Sequence, residues 1–322
     1  MSVQADPTLP APRLRLRQYL PSLILLVLVA TLLTVMWAYM PNFFRLNNII
    51  NILLQASILG LLAIGMTGVL ITGGIDLSMP ANMALAAVLG TMAMRSTGSA
   101  AIGPVVMLAV GLALGAVNAV AVARLKMIPF VVTLSTMTVV SGTCIWITNS
   151  VSITGLPPSY THTLLAKPFG IPVGVFAMVL FTVIASFVMQ RCVPGRWLYT
   201  VGLNPRAARI GRVPVDRVIA GAYLAAGLMA GVTAVLLTAR LGSASANMGA
   251  DALTLDIIAA CVVGGVSTFG GVGRAYGAVF GAILITVLSN VMNLAGVSFY
   301  VGLVIKGAVI VAFVAAEHRW RH

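Results

Sequence analysis

The stretch Ile71-Thr72-Gly73-Gly74-Ile75-Asp76-Leu77-Ser78-Met79-Pro80 joins two long apolar runs. It holds two glycines, a carboxylate, a hydroxyl and a proline. Asp76 is one of only six acidic residues in 322. A carboxylate at the edge of hydrocarbon is costly and marks a functional position. Apolar segments interrupted by Gly and Pro point to a solute path through a transporter. Asp76 therefore has two roles open to it. It accepts hydrogen bonds from a polar solute, or it caps the next helix together with Ser78. Gly73 and Gly74 give the backbone freedom that a hinge needs. Pro80 suits a first helical turn. Asp256 and Lys306 are further charges inside apolar runs and are candidate pathway groups. Lys306 sits near mid-span, which disfavours snorkelling to the surface.

A second informative stretch is Gln190–Arg217, with six arginines and a single acid, Asp216. Within it Asn204-Pro205-Arg206-Ala207-Ala208-Arg209-Ile210-Gly211 carries the signals of a short helix. Asn204 caps the first free N–H groups. Pro205 suits the first helical position and Gly211 the residue past the end. Ala207, Ala208 and Ile210 offer a small apolar docking surface, and Arg206 and Arg209 suit an acidic partner.

The elements that position these residues are membrane helices. The chain is 60% hydrophobic and 8% charged, a composition no soluble domain of this length carries. Apolar runs at about Leu20–Met40, Ile49–Thr72, Leu77–Met94, Ala101–Ala123, Phe130–Thr148, Ile171–Met189, Val218–Ala239, Leu253–Val266, Tyr276–Leu294 and Val297–Ala315 predict ten spans. The expected fold is an all-α polytopic membrane protein. Residues 1–19 read as a disordered basic tail, 20–316 as the membrane domain with an inside loop over 190–217, and 317–322 as a second tail. Of the 19 Lys and Arg, fourteen fall on one side and four on the other, with Lys306 inside a span. By the positive-inside rule both termini are cytoplasmic. Ile75-Asp76-Leu77-Ser78 and Leu253-Thr254-Leu255-Asp256 open spans at corresponding places of a five-plus-five arrangement, which suggests an inverted repeat.

Other chemistry finds no support. The net charge of +13 lies in loops rather than on an amphipathic stripe, so nucleic acid is not a partner. Cys144, Cys192 and Cys261 lack the spacing of a zinc site or a disulfide framework. No Ser/His/Asp constellation and no phosphate loop is present, so no metal, cofactor or hydrolytic activity is expected of this chain. Gly270-Gly271-Val272-Gly273 joins two spans and lacks the strand–helix context of a dinucleotide loop. Gly111/Gly115, Gly227/Gly231 and Gly273/Gly277/Gly281 have the spacing of close helix packing in lipid.

Thr72-Gly73-Gly74-Ile75-Asp76-Leu77-Ser78 resembles the signature of permease subunits in bacterial ABC importers for ribose and related monosaccharides. Ile128-Pro129-Phe130-Val131-Val132-Thr133-Leu134 and Gly202-Leu203-Asn204-Pro205-Arg206-Ala207-Ala208-Arg209 fit the same family. So do Leu241–Ser245, Gly264–Gly271 and Asn293–Ser298. Met79-Pro80 and Ala252-Leu253-Thr254 depart from it and bear on the cargo. The resemblance implies separate cytoplasmic ATPases that bind ATP and Mg, with Asn204–Gly211 as the coupling helix. It also implies a periplasmic binding protein at the outer loops Asn149–Gly170 and Leu241–Asp251, and a second permease, identical or homologous, in the inner membrane. Related permeases carry branched-chain amino acids or nucleosides, and that cargo stays open. An ion-coupled carrier working alone stays open too, with Asp76 and Asp256 as its coupling groups.

Overall fold

A computed structural model describes residues 42–249 and 251–321, together with Thr34. The expected tail 1–19 and first span Leu20–Met40 lie, apart from Thr34, outside the described residues. The chain divides into two units, Met1–Ile49 and Ile50–His322. In the first, Phe43 and Phe44 pack edge to face with ring centroids 5.0 Å apart. Asn48 Nδ2 donates to the Phe43 carbonyl at 2.9 Å.

Among the described residues the fold is all helical. The helices are α1 (Leu46–Ile71), α2 (Met79–Thr97), α3 (Ile102–Ala119), α4 (Pro129–Thr148), α5 (Pro158–Leu164) and α6 (Val173–Arg191). They continue as α7 (Val193–Leu203), α8 (Pro205–Ile210), α9 (Val215–Leu241), α10 (Asp251–Val263), α11 (Ala275–Leu294) and α12 (Phe299–Arg321). Seven helical segments are long and apolar enough to cross a membrane. Among the described residues every expected span after the first falls on a helix, but α2 and α12, the helices of Leu77–Met94 and Val297–Ala315, are not among these seven. The ends agree within about one helical turn, except that α12 runs on to Arg321 through most of the expected tail 317–322.

Helix α1 is the hub, with every residue from Ala56 to Ile71 buried. Its Leu61 and Ile64 cluster with Met178 of α6, Met229 of α9 and Val279 of α11. Lipid tails are as apolar as leucine, so helices in a bilayer associate through close packing rather than hydrophobic expulsion. The glycine pairs supply that closeness. A methyl at Gly111 of α3 would lie 2.5 Å from the Gly227 carbonyl of α9. One at Gly115 would lie 2.8 Å from the Tyr223 carbonyl. Gly264 and Gly277 bring α10 and α11 together in the same way.

One helix lies where only a loop was expected. Pro194 falls in the first turn of α7, where its missing N–H is no loss. A side chain at Gly195 would meet the Met189 backbone. The expected inside loop 190–217 is therefore mostly two helices. Between the two expected outer loops, Ile153 and Ala244 exchange backbone hydrogen bonds of 2.7 and 2.9 Å. Tyr160 of α5 donates its hydroxyl to the Val235 carbonyl at 2.7 Å. These two loops are thus tied to each other and to α9.

Candidate functional site

Asp76 lies in the turn between α1 and α2 and is 2% exposed. Its Oδ1 accepts from the Ser78 amide at 3.0 Å, the Ser78 hydroxyl at 2.6 Å and the Asn118 amide at 3.5 Å. Asn118 Nδ2 also donates to Ser78 Oγ at 2.8 Å. Its Oδ1 in turn accepts from the Thr136 hydroxyl at 2.8 Å. The donors in this chain of bonds run toward the Asp76 carboxyl oxygen at its end. Thr133 of α4 donates to the Ile75 carbonyl at 3.1 Å. The turn is thereby held from α2, α3 and α4.

Ser78 corrects one expectation. It occupies the N-cap position of α2, but its side chain makes no cap hydrogen bond. With backbone angles of −79° and −11° the residue is already helical, so its hydroxyl turns back to Asp76. Pro80 sits in the first turn as expected. Gly73 has φ of +79° and ends α1. Its amide reaches the Leu70 carbonyl at 2.9 Å and the Gly74 amide reaches Val69 at 3.1 Å, the paired bonds of a left-handed glycine stop. Gly73 thus fixes a helix end. Gly74 is a close approach, since a methyl there would lie 2.8 Å from the Tyr223 hydroxyl. That hydroxyl is buried and makes no hydrogen bond.

Asp256 and Lys306 stand apart from this chain of bonds and pair with each other. Lys306 Nζ donates to Asp256 Oδ2 at 2.9 Å, with both side chains mostly buried. The pair joins α10 to α12 and cancels two charges that would otherwise be stranded. It also gives the two segments of the suspected repeat different settings. Asp76 precedes a helix, whereas Asp256 lies inside one.

Helix α8 forms as its residues dictate. Asn204 Oδ1 accepts from the amides of Arg206 at 3.0 Å and Ala207 at 3.1 Å, with Pro205 in the first turn. The chain turns left-handed at Arg212 (φ 58°) rather than at Gly211. Ala208 is 1% exposed and seats α8 on the body, while Ile210 is 85% exposed. Ala208 is therefore not part of an outer docking surface. Arg209 pairs with Asp216 at 3.2 Å, and Lys126 pairs with the same carboxylate. Of the two α8 arginines, Arg206 keeps its charge outward and Arg209 braces α8 against α9.

Asn118, Thr136 and Tyr223 were missed from sequence. Asn118 was the detectable one, because an amide in the apolar run of α3 needs partners inside the bundle. Tyr199 adds an inner contact, donating its hydroxyl to the Gly273 carbonyl at 2.8 Å. Burial raises its phenol above the usual range, which keeps it a donor.

Residues 48–314 match the family described as the permease component of branched-chain amino acid transport systems. The chain is 38% identical to the ribose import permease protein of Bacillus subtilis, over 92% of this chain and 91% of that one. It is 35% identical to the galactose/methyl galactoside import permease protein of Haemophilus influenzae, over 89% and 90%. It is 32% identical to the D-allose transport system permease protein of Escherichia coli, over 90% and 89%. No solved structure matches it significantly. Proteins of this kind are multi-pass membrane components of transport systems and are not themselves enzymes. Matched over most of its length, with its helices and interrupted turn in place, the chain belongs to this family of ABC transporter permeases.

Proposed function

We propose that this chain is the membrane-spanning subunit of an ATP-binding-cassette importer that moves a monosaccharide or related polyol across the bacterial inner membrane. The observation that carries the reading is α8. This capped helix stands between α7 and α9 with Arg206 and Ile210 exposed. A short basic and apolar projection suits a groove on a cytoplasmic ATPase. Two such ATPases bind ATP and Mg, and this chain supplies the path. A periplasmic binding protein delivers cargo to the outer loops joined through Ile153 and Ala244. A second permease, a copy or a homologue, faces the first. With an expected span at Leu20–Met40 the chain would make ten spans in a five-plus-five inverted repeat, and the Lys and Arg distribution supports both termini being cytoplasmic.

The sugar class rests on the relatives, named for ribose, galactose and allose. Asp76, Ser78, Gly73 and Gly74 hold the interruption between α1 and α2 rather than bind cargo. Asp256 and Lys306 lock α10 to α12.

The complete complex in proteoliposomes tests this reading. Labelled ribose, galactose or allose should accumulate only with ATP on the α8 side and the binding protein on the other. ATP-driven uptake of isoleucine or a nucleoside, with none of the sugars, would transfer the chain to the related cargo class.

A further inference from the structure

The last carbonyls of α1 can be followed one by one. Gly68 accepts from Thr72 at 3.3 Å, Val69 from Gly74 at 3.1 Å and Leu70 from Gly73 at 2.9 Å. Ile71 has no such partner in its own helix. Its carbonyl accepts from the Gly271 amide at 2.9 Å, from a residue 200 positions further along the chain. Gly202 of α7 sits on this bond. A methyl at Gly202 would overlap the Ile71 carbonyl oxygen and lie 2.6 Å from Gly271 N. Gly270, with φ of +88°, is close enough that a methyl there would lie 3.0 Å from the Gly202 carbonyl and 3.2 Å from Gly73 Cα. Tyr199, one turn before Gly202, holds the Gly273 carbonyl. Three backbones therefore meet at Gly202, flanked by the side chains of Ile71 and Leu203. They are the end of α1, the end of α7, and the loop that feeds α11.

We propose that Gly202 is a positioning residue that transmits the ATPase stroke to the interrupted stretch Ile71–Ser78. Only Leu203 separates it from the Asn204 cap, so α7 and α8 meet almost at Gly202. A displacement of α8 passes along α7 to Gly202 and onto the Ile71 carbonyl. From there it reaches the Gly73 stop and the turn that holds Asp76. A layer of side chains would absorb part of such a movement by changing rotamers, whereas backbone against backbone has no such slack. The loop before α11 moves with it through Gly271 and Tyr199. This inference rests on reading α8 as the ATPase docking helix.

The test is Gly202→Ala in the assembled complex in proteoliposomes, using whichever of ribose, galactose and allose the wild type takes up. The quantity read is sugar moved per ATP hydrolysed, per assembled complex. A merely structural defect lowers the amount of complex and leaves this ratio alone. The expected result is a fall of about tenfold in the ratio with the ATPase still co-purifying. A ratio within about twofold of wild type overturns the proposal. So does loss of ATPase co-purification, which would make Gly202 an assembly residue. Should Gly202→Ala fail to fold, Tyr199→Phe decides. It removes one hydroxyl, and a fall of about threefold in the ratio is expected, whereas an unchanged ratio overturns the proposal. Arg206→Glu separates the two layers of the argument. If α8 does not dock, Arg206→Glu leaves co-purification intact. If α8 docks but Gly202 transmits nothing, Arg206→Glu weakens assembly while Gly202→Ala behaves as wild type.

Discussion

Ser78 gives both its amide and its hydroxyl to one oxygen of Asp76, at 3.0 and 2.6 Å. With Asn118 and Thr136 behind it, this contact fastens the turn between α1 and α2 to α3 and α4. The buried carboxylate organises the protein's own donors.

Asp76→Ala should therefore damage stability before it damages cargo recognition. Ser78 and Asn118 would lose a shared acceptor in a buried place, and each orphaned donor costs about 1–3 kcal/mol. Asp76→Asn keeps one acceptor oxygen and should be milder. Thermal unfolding of the detergent-purified protein checks the order. Equal melting temperatures for Asp76→Ala and wild type would reduce Asp76 to a bystander.

The Asp256–Lys306 pair makes a different prediction. Removing one partner leaves a buried charge alone, so Asp256→Asn and Lys306→Met should each destabilise by about 3 kcal/mol. The double variant Asp256→Asn/Lys306→Met should recover most of that loss. A double variant as unstable as the sum of the singles would show that the two side chains act independently.

At the glycine crossing of α3 and α9, Gly227→Leu should be among the most damaging single substitutions. No backbone movement makes room for a large side chain while Gly111 stays in contact. A loss of more than about 3 kcal/mol is expected, and the yield of folded protein in detergent measures it. Gly142→Ala, where a methyl meets nothing within 4 Å, should be neutral in the same assay.

Arg206→Glu should weaken ATPase co-purification, because Arg206 keeps its charge outward on α8. Asp216→Asn should act more gently, since it releases the brace from Arg209 and Lys126 without reversing a charge on the docking side. Pull-down of the ATPase by the solubilised permease reads both. A stronger effect from Asp216→Asn than from Arg206→Glu would contradict the assignment of Arg206 to the outer surface.

Much of this architecture was readable from residue order. Long apolar runs set the spans, because hydrocarbon admits few alternatives to helix. Asn204, Pro205 and Gly211 marked α8, because a cap works through atoms only two or three residues away. The same locality explains what was missed. Ser78 looked like a cap, but its hydroxyl is drawn to Asp76, a competition that types alone do not decide. Asn118 joins the site from more than 40 residues away, and Lys306 finds Asp256 at a separation of 50. Such pairings depend on how the helices cross. Helix α7 was not expected within the loop 190–217, where Pro194 starts it and Gly195 seats it against the Met189 backbone.

In the proposed importer this chain conducts while other chains supply the energy. The most direct measurement compares sugar uptake by two sets of proteoliposomes. One holds the permease with its ATPase, with ATP trapped inside and the binding protein outside. The other holds the permease alone under an imposed proton or sodium gradient. Uptake is expected in the first set, abolished when ATP is omitted, and none in the second. Accumulation driven by the ion gradient in the permease alone would contradict that proposal.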